Sequence, residues 1–150
     1  MIKVNTEISG EYAIKNDTVI IANDAFYGCK SLTKVIIPDT VINIGMNAFY
    51  NCKAMTNVEI GNSVETIGKW SFNNCVGLTN ITIPNNVIQI ESEAFLNCTA
   101  LSSIQFEEDS NIRYIESSVF NGTAYYNEAT NWESGILYAG PCLVKCNTTT

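Results

Sequence analysis

"AFYGCKSL" at residues 25–32 returns as "AFYNCKAM" at residues 48–55, 23 positions later. The echo extends both ways along the chain. Phe26, Phe49, Phe72 and Phe95 keep the 23-residue step, as do Cys29, Cys52, Cys75 and Cys98, and Leu32, Met55, Leu78 and Leu101. Val35, Val58, Ile81 and Ile104 make another column; Val41, Val64 and Val87 another; Ile44, Ile67 and Ile90 another. Phe120 follows Phe95 by 25 residues, and the two extra residues fall in "FEEDSNI", which predicts a longer loop there. A unit this short cannot bury its own apolar face. Stacked units bury one continuous core between them.

Within a unit, Leu32-x-x-Val35-x-Ile37 alternates apolar and polar, and β-branched residues dominate it, so it reads as a short strand. Pro38 ends the strand; Gly61 and Pro84 share its column. A second extended piece, "VINIG" or "VETIG", leads into the turn holding Ala48 and Phe49. No segment is long enough for an ordinary helix, and at most one helical turn fits near "NAFYN". Before each column cysteine stands Gly28, Asn51, Asn74 or Asn97, with Gly122 in the last unit. Gly and Asn tolerate positive φ most cheaply, which predicts a left-handed position in every coil.

The pattern L-x-x-V/I-x-I-P-x-x-V-x-x-I-G-x-x-A-F-x-N/G-C resembles the BspA-like leucine-rich repeat, a 23-residue class of bacterial and protist surface proteins. The resemblance covers roughly residues 18–123. Glu91 and Glu116 depart from it at a Gly column, Glu107 at the Pro column and Thr123 at the Cys column. It implies a mainly β fold: a right-handed leucine-rich-repeat solenoid with a parallel β-sheet on the concave face. Residues 1–17 are expected to form an N-terminal partial coil, with "EYAIK" as a strand, and residues 124–150 a C-terminal hairpin cap or the start of a next module. Ile136–Tyr138 and Cys142–Val144 around "AGP" read as that β-hairpin, with Tyr125, Tyr126 and Trp132 beneath it. The tail also resembles the segment that follows such repeats in gut bacterial surface proteins. The family's association with adhesion implies a surface or secreted location and a protein partner, such as a host matrix or surface protein, or a glycan.

The 150 residues carry a formal net charge of −7 and a pI near 4.4. Acidity without a basic patch argues against nucleic acid and anionic membranes as partners. No run of ~18 apolar residues is present to span a membrane. "MIKVNTEISG" lacks the apolar core of a secretory leader, so the chain reads as intracellular or as a mature fragment with an added Met; "CNTTT" reads as a cut end. Oligomeric state is left open.

The six cysteines and absence of His do not make a zinc pattern. Stacked at the strand spacing, the four column thiols point inward rather than at one another, so they read as small apolar residues, not disulfides. Cys142 and Cys146, four apart on one hairpin strand, would stand ~13 Å apart, beyond bonding reach. Without His there is no triad and the commonest general base is missing. No phosphate-binding glycine motif occurs. Glu107, Glu108 and Asp109 lack calcium-loop spacing and read as a solvated run. The chain is expected to be no enzyme and to need no cofactor or metal.

A partner would meet the outward letters of the strands. One column is Lys34, Asn57, Asn80 and Ser103; the next is Ile36, Glu59, Thr82 and Gln105. Trp70 is a further candidate, in a column otherwise holding Asp24, Asn47, Glu93 and Ser118, either exposed or packed against Tyr50 or a neighbouring loop. Three functions compete: a protein-binding adhesion module, a structural spacer in a larger surface protein, and a glycan-binding module. The last would want stacked aromatics, and the two strand columns hold none.

Overall fold

β-Branched residues at alternate positions give each coil a short strand, and the strands stack in parallel. The computed structural model describes residues 7–133, 136–139 and 142–146. On the first face lie β1 (Ser9–Ala13), β3 (Ser31–Ile36), β5 (Asn57–Glu59), β7 (Asn80–Ile83) and β9 (Ser103–Phe106). β1, β3 and β5 pair as one parallel sheet and β7 with β9 as another, with β5 beside β7. On the second face β2 (Ile20–Ile21), β4 (Asn43–Ile44), β6 (Thr66–Ile67), β8 (Gln89–Ile90) and β10 (Tyr114–Ile115) form one parallel sheet in coil order. Register follows the repeat: Val35 opposes Val58, Ile81 opposes Ile104, and Ile44 opposes Ile67. Between β8 and β10 the step becomes Gln89 to Tyr114, so the two extra residues are absorbed in the exposed loop around Glu107 and Glu108. "EYAIK" supplies part of β1, which opens the first sheet against β3.

The interior holds the repeated apolar columns. Phe26, Phe49, Phe72, Phe95 and Phe120 form one file, with successive centroids 5.0, 5.1, 5.2 and 5.7 Å apart and ring planes within 15° of parallel. That spacing is close to the distance between paired strands, so the sheet ladder sets the stacking distance. Tyr12 closes the N-terminal end of the file with its ring tilted 59° against Phe26. Each neighbouring ring pair adds about 0.5–1.5 kcal/mol beyond its burial.

Glycine at 45 is required by close approach rather than by φ. A Cβ there would lie 2.7 Å from the backbone of Ala22 and Asn23 in the coil before. The departures at this column have their own use. The backbone N–H after each such position needs an acceptor. Met46 N–H donates to Asn23 Oδ1 (2.9 Å), Lys69 N–H to Glu91 Oε2 (2.8 Å) and Ser92 N–H to Glu116 Oε2 (3.0 Å). Each glutamate therefore caps the coil preceding it. Ser92 Oγ and Gln89 Nε2 also donate to Glu116, and these bonds, Ser92's foremost, hold its carboxyl below the usual glutamate range.

Thr123 takes the cysteine column for a different reason. It is buried, donates to the Phe120 carbonyl (2.7 Å) and accepts from Tyr126 N–H (3.0 Å), so it caps a single helical turn at Ala124–Asn127. Near "NAFYN", where at most one helical turn fits, residues 47–51 are non-helical turn. The chain then enters an antiparallel sheet of β11 (Trp132–Glu133), β12 (Ile136–Ala139) and β13 (Cys142–Cys146). β12 lies beside β9, and Leu137 and Ala139 are buried. Tyr125 OH donates to the Tyr138 carbonyl (2.8 Å), while Tyr126 and Trp132 meet edge to face at 5.3 Å. The "GP" of the hairpin, the side chains of Cys142 and Cys146, residues 1–6 and the "NTTT" tail lie outside the described residues.

Candidate functional site

The strand columns sit where alternation puts them, outward on the first face. Lys34 is half-buried between two carboxylates, 2.8 Å from Glu59 and 3.7 Å from Glu11. The hydrogen bond to Glu59 holds the Lys34 ammonium above its ordinary pKa, with the charge of Glu11 adding to it. Asn57, level with Lys34 in the ladder, has a buried Oδ1 with no hydrogen-bond partner. Asn80, Thr82 and Gln105 are exposed and Ser103 is half-buried. Ile36 and Glu59 also reach a groove of about 540 Å³ at the strand ends, with Asn16, Pro38, Asp39 and Ile60 among its walls. The structure thus brings Lys34, Ile36, Asn57 and Glu59 together over β3 and β5. Asn80, Thr82, Ser103 and Gln105 lie further along on β7 and β9, and Trp70 lies elsewhere.

Trp70 belongs to the turn edge between the two faces. There the backbone alternates its donors. Ala25, Tyr27 and Cys29 N–H bond within the turn, to Ala22, Asp24 and Phe26. Asp24, Phe26 and Gly28 N–H instead reach forward to the carbonyls of Met46, Ala48 and Tyr50 in the next coil. Later coils repeat the scheme. The alternation goes with two left-handed positions per coil. One is the expected file: Gly28 (φ 72°), Asn51 (64°), Asn74 (61°), Asn97 (59°) and Gly122 (72°). The other, four residues earlier, carries no composition signal: Asp24 (59°), Asn47 (55°), Trp70 (58°), Glu93 (61°) and Ser118 (60°). Positive φ is rare for a bulky side chain and costs roughly 1–2 kcal/mol.

The held Trp70 is half-buried, with Lys69 Nζ 4.2 Å above its ring centroid. Beside it Tyr27 and Tyr50 stack at 5.0 Å with planes 6° apart, on the outside of the turn. Stacked aromatics therefore do occur, on the turn edge rather than on the strand columns. They share an open groove of about 440 Å³ with Asn47, Asn73, Glu93, Leu96 and Asn97. Neither Tyr50, Asn73 nor Glu93 stands out in the sequence as a site residue. The available signal was Tyr27 and Tyr50 recurring one position after the core phenylalanine, a place that must face away from it.

The column cysteines are free and fully buried. The thiols of Cys52, Cys75 and Cys98 donate to the carbonyls of Phe26, Phe49 and Phe72, at 3.2, 3.1 and 3.0 Å. Burial pushes Cys52 up to about 12 and Cys75 well above the ordinary thiol range, which keeps these two thiols protonated at neutral pH. Among the described residues no three His, Cys, Asp or Glu side chains converge as metal ligands, and no helix is long and apolar enough to cross a membrane.

The repeated sequence matches the model of the BspA type leucine-rich repeat region, in six copies over residues 14–138. The chain belongs to the BspA-type leucine-rich repeat family. Among solved structures, this BspA-type chain is similar to a leucine-rich cell surface protein from Faecalibacterium prausnitzii, at 31% identity and a TM-score of 0.72, over 77% of this chain and 30% of that one. It is similar to a leucine-rich repeat protein from Bacteroides capillosus at 27% identity and a TM-score of 0.59, over 65% of this chain and 76% of that one. A T. pallidum leucine-rich repeat protein shares the fold at 24% identity and a TM-score of 0.70, over 79% of this chain and 62% of that one. The chain thus spans less than a third of the Faecalibacterium protein's length. No curated protein matches it. The repeats are a scaffold of the kind found in surface proteins.

Proposed function

We propose that this chain is a non-catalytic binding module of a secreted or cell-surface protein, and that it engages a protein partner through the first face around Lys34, Ile36, Asn57 and Glu59. The observation carrying this reading is the contrast between inward and outward columns of the same strands. Inward, Val35, Val58, Ile81 and Ile104 are all β-branched; outward, Ile36, Glu59, Thr82 and Gln105 differ in every coil, and Lys34, Asn57, Asn80 and Ser103 include three residue types. A face kept only for solubility does not need the half-buried Ile36 beside a groove, nor an ammonium held between two carboxylates. The groove pairs apolar walls with Asp39 and Glu59, which suits an extended partner segment presenting an apolar side chain next to a basic one. Asn80, Thr82, Ser103 and Gln105 would extend the contact by adaptable hydrogen bonds.

The Faecalibacterium relative, a cell surface protein, supports a surface setting, in which adhesion is the reading we favour and a spacer role the competing one. Binding of the chain to immobilised matrix proteins separates them. Lys34→Glu and Glu59→Lys are each expected to weaken a retained partner by about tenfold or more, mostly through faster dissociation. The spacer reading stands instead if no matrix protein is retained, or if neither reversal alters retention.

A further inference from the structure

The turn-edge groove lies off the first face and has a different chemistry. We infer that it is a binding site for a neutral sugar, taking one or two pyranose rings of a glycan against Trp70, Tyr27 and Tyr50. Four features carry this. First, Tyr27 is 47% exposed although its neighbour Phe26 is buried, and it stacks on Tyr50 at the surface, so that an outer ring face of the pair is the flat platform a ligand can meet. The C–H face of a pyranose is flat and apolar and lies well on such a platform. Second, the Asn73 side chain borders the groove and its amide, which forms no hydrogen bond among the described residues, reaches solvent there. An amide with no protein partner offers both a donor and an acceptor to a ligand hydroxyl. Third, Glu93 and Asn97 line the same groove beside Asn73. A carboxylate and amides together match the vicinal hydroxyls of a sugar, which both donate and accept. Fourth, Trp70 occupies a left-handed position where Asn47 stands one coil earlier. The scaffold does not require an indole there, and backbone strain of this kind clusters at functional sites.

A cationic ligand is the competing occupant, since aromatics with a carboxylate also suit ammonium groups. Lys69 argues against it, because its ammonium already lies over the Trp70 ring and would repel a second positive charge. The groove of about 440 Å³ falls within the usual size of small-ligand sites and accommodates a disaccharide.

The test is a titration of the 15N-labelled chain with lactose, maltose, cellobiose and diacetylchitobiose, each to about 50 mM, enough to detect a millimolar site. At least one sugar is expected to shift the Trp70 indole and Asn73 amide resonances, saturably. Trp70→Asn is expected to keep the fold, since asparagine suits positive φ, and to weaken the sugar by at least about tenfold, or 1.4 kcal/mol. Asn73→Leu tests the amide separately and should weaken binding while Trp70 stays in place. The inference is overturned if none of the four sugars moves these resonances, if the shifts persist in Trp70→Asn, or if tetramethylammonium produces them and the sugars do not. Lys34→Glu should leave sugar binding unchanged, so failure here is distinguishable from failure at the first face.

Discussion

Two files of left-handed residues run along the same edge of the solenoid, four residues apart in every coil. Gly28, Asn51, Asn74, Asn97 and Gly122 make one; Asp24, Asn47, Trp70, Glu93 and Ser118 make the other. Their φ values are nearly the same, and in the first four members of each file the backbone N–H donates to the next coil. Yet one file accepts only Gly and Asn while the other accepts a tryptophan. Positive φ therefore goes with the place in the turn, not with the residue that bears it. Both files link neighbours by a side-chain bond, Asn74 Nδ2 to Asn51 Oδ1 at 2.8 Å and Asn47 Nδ2 to Asp24 Oδ1 at 3.0 Å, but the first adds crowding at Gly122, where a Cβ would meet Asn97 Oδ1 at 2.6 Å. The second file opens onto the groove, so a large side chain has somewhere to go.

The harshest way to break this comparison is to remove what both files rest on. Phe72→Ala takes a fully buried ring from the middle of the phenylalanine file and is expected to cost about 3–5 kcal/mol in urea unfolding. Unfolding no easier than wild type would mean the rings are not the common support. Next, Asn74→Val puts a β-branched residue at φ 61° and deletes the bond to Asn51. A loss of about 2–3 kcal/mol is expected from strain plus the hydrogen bond, and Asn74→Gly should lose distinctly less.

Trp70→Asn should move the other way. Relief of roughly 1–2 kcal/mol of strain is partly offset by losing the Lys69 contact, worth about 0.5–1 kcal/mol. A net gain of up to about 1 kcal/mol is expected from chemical denaturation. A clear loss would show that Trp70 is structural, and the two files would then differ less than argued. The smallest effect concerns the capping carboxylates beside the second file. The folded-state pKa of Glu116 is lowered, so its contribution is present above the unfolded value of about 4.5 and fades as pH falls through the folded value. Glu116→Gln should flatten that part of the acid limb slightly, as seen by comparing unfolding midpoints at neutral and acid pH.

The first file was legible because glycine and asparagine mark it; the second was not, because Asp, Asn, Trp, Glu and Ser have no common property but their place in the turn. The same holds for the departures from the repeat. Glu91 and Glu116 look like decay of the pattern, yet they cap Lys69 and Ser92 in the coils before them. Thr123 looks like a lost cysteine, yet it starts the helical turn that leads to the hairpin.

What the chain's letters determined alone is whatever recurs. Period, strand positions, the phenylalanine and cysteine files and the glycine–asparagine corner all follow from one rule, that stacked short units must bury the same face each time. What only the tertiary structure decided is whatever occurs once. The Lys34–Glu59 pair and the groove of Tyr27, Tyr50, Trp70, Asn73 and Glu93 join residues of successive coils, brought together by the stacking of those coils. No local pattern encodes them, because their neighbours in space are set by the coil spacing and not by the order of the chain.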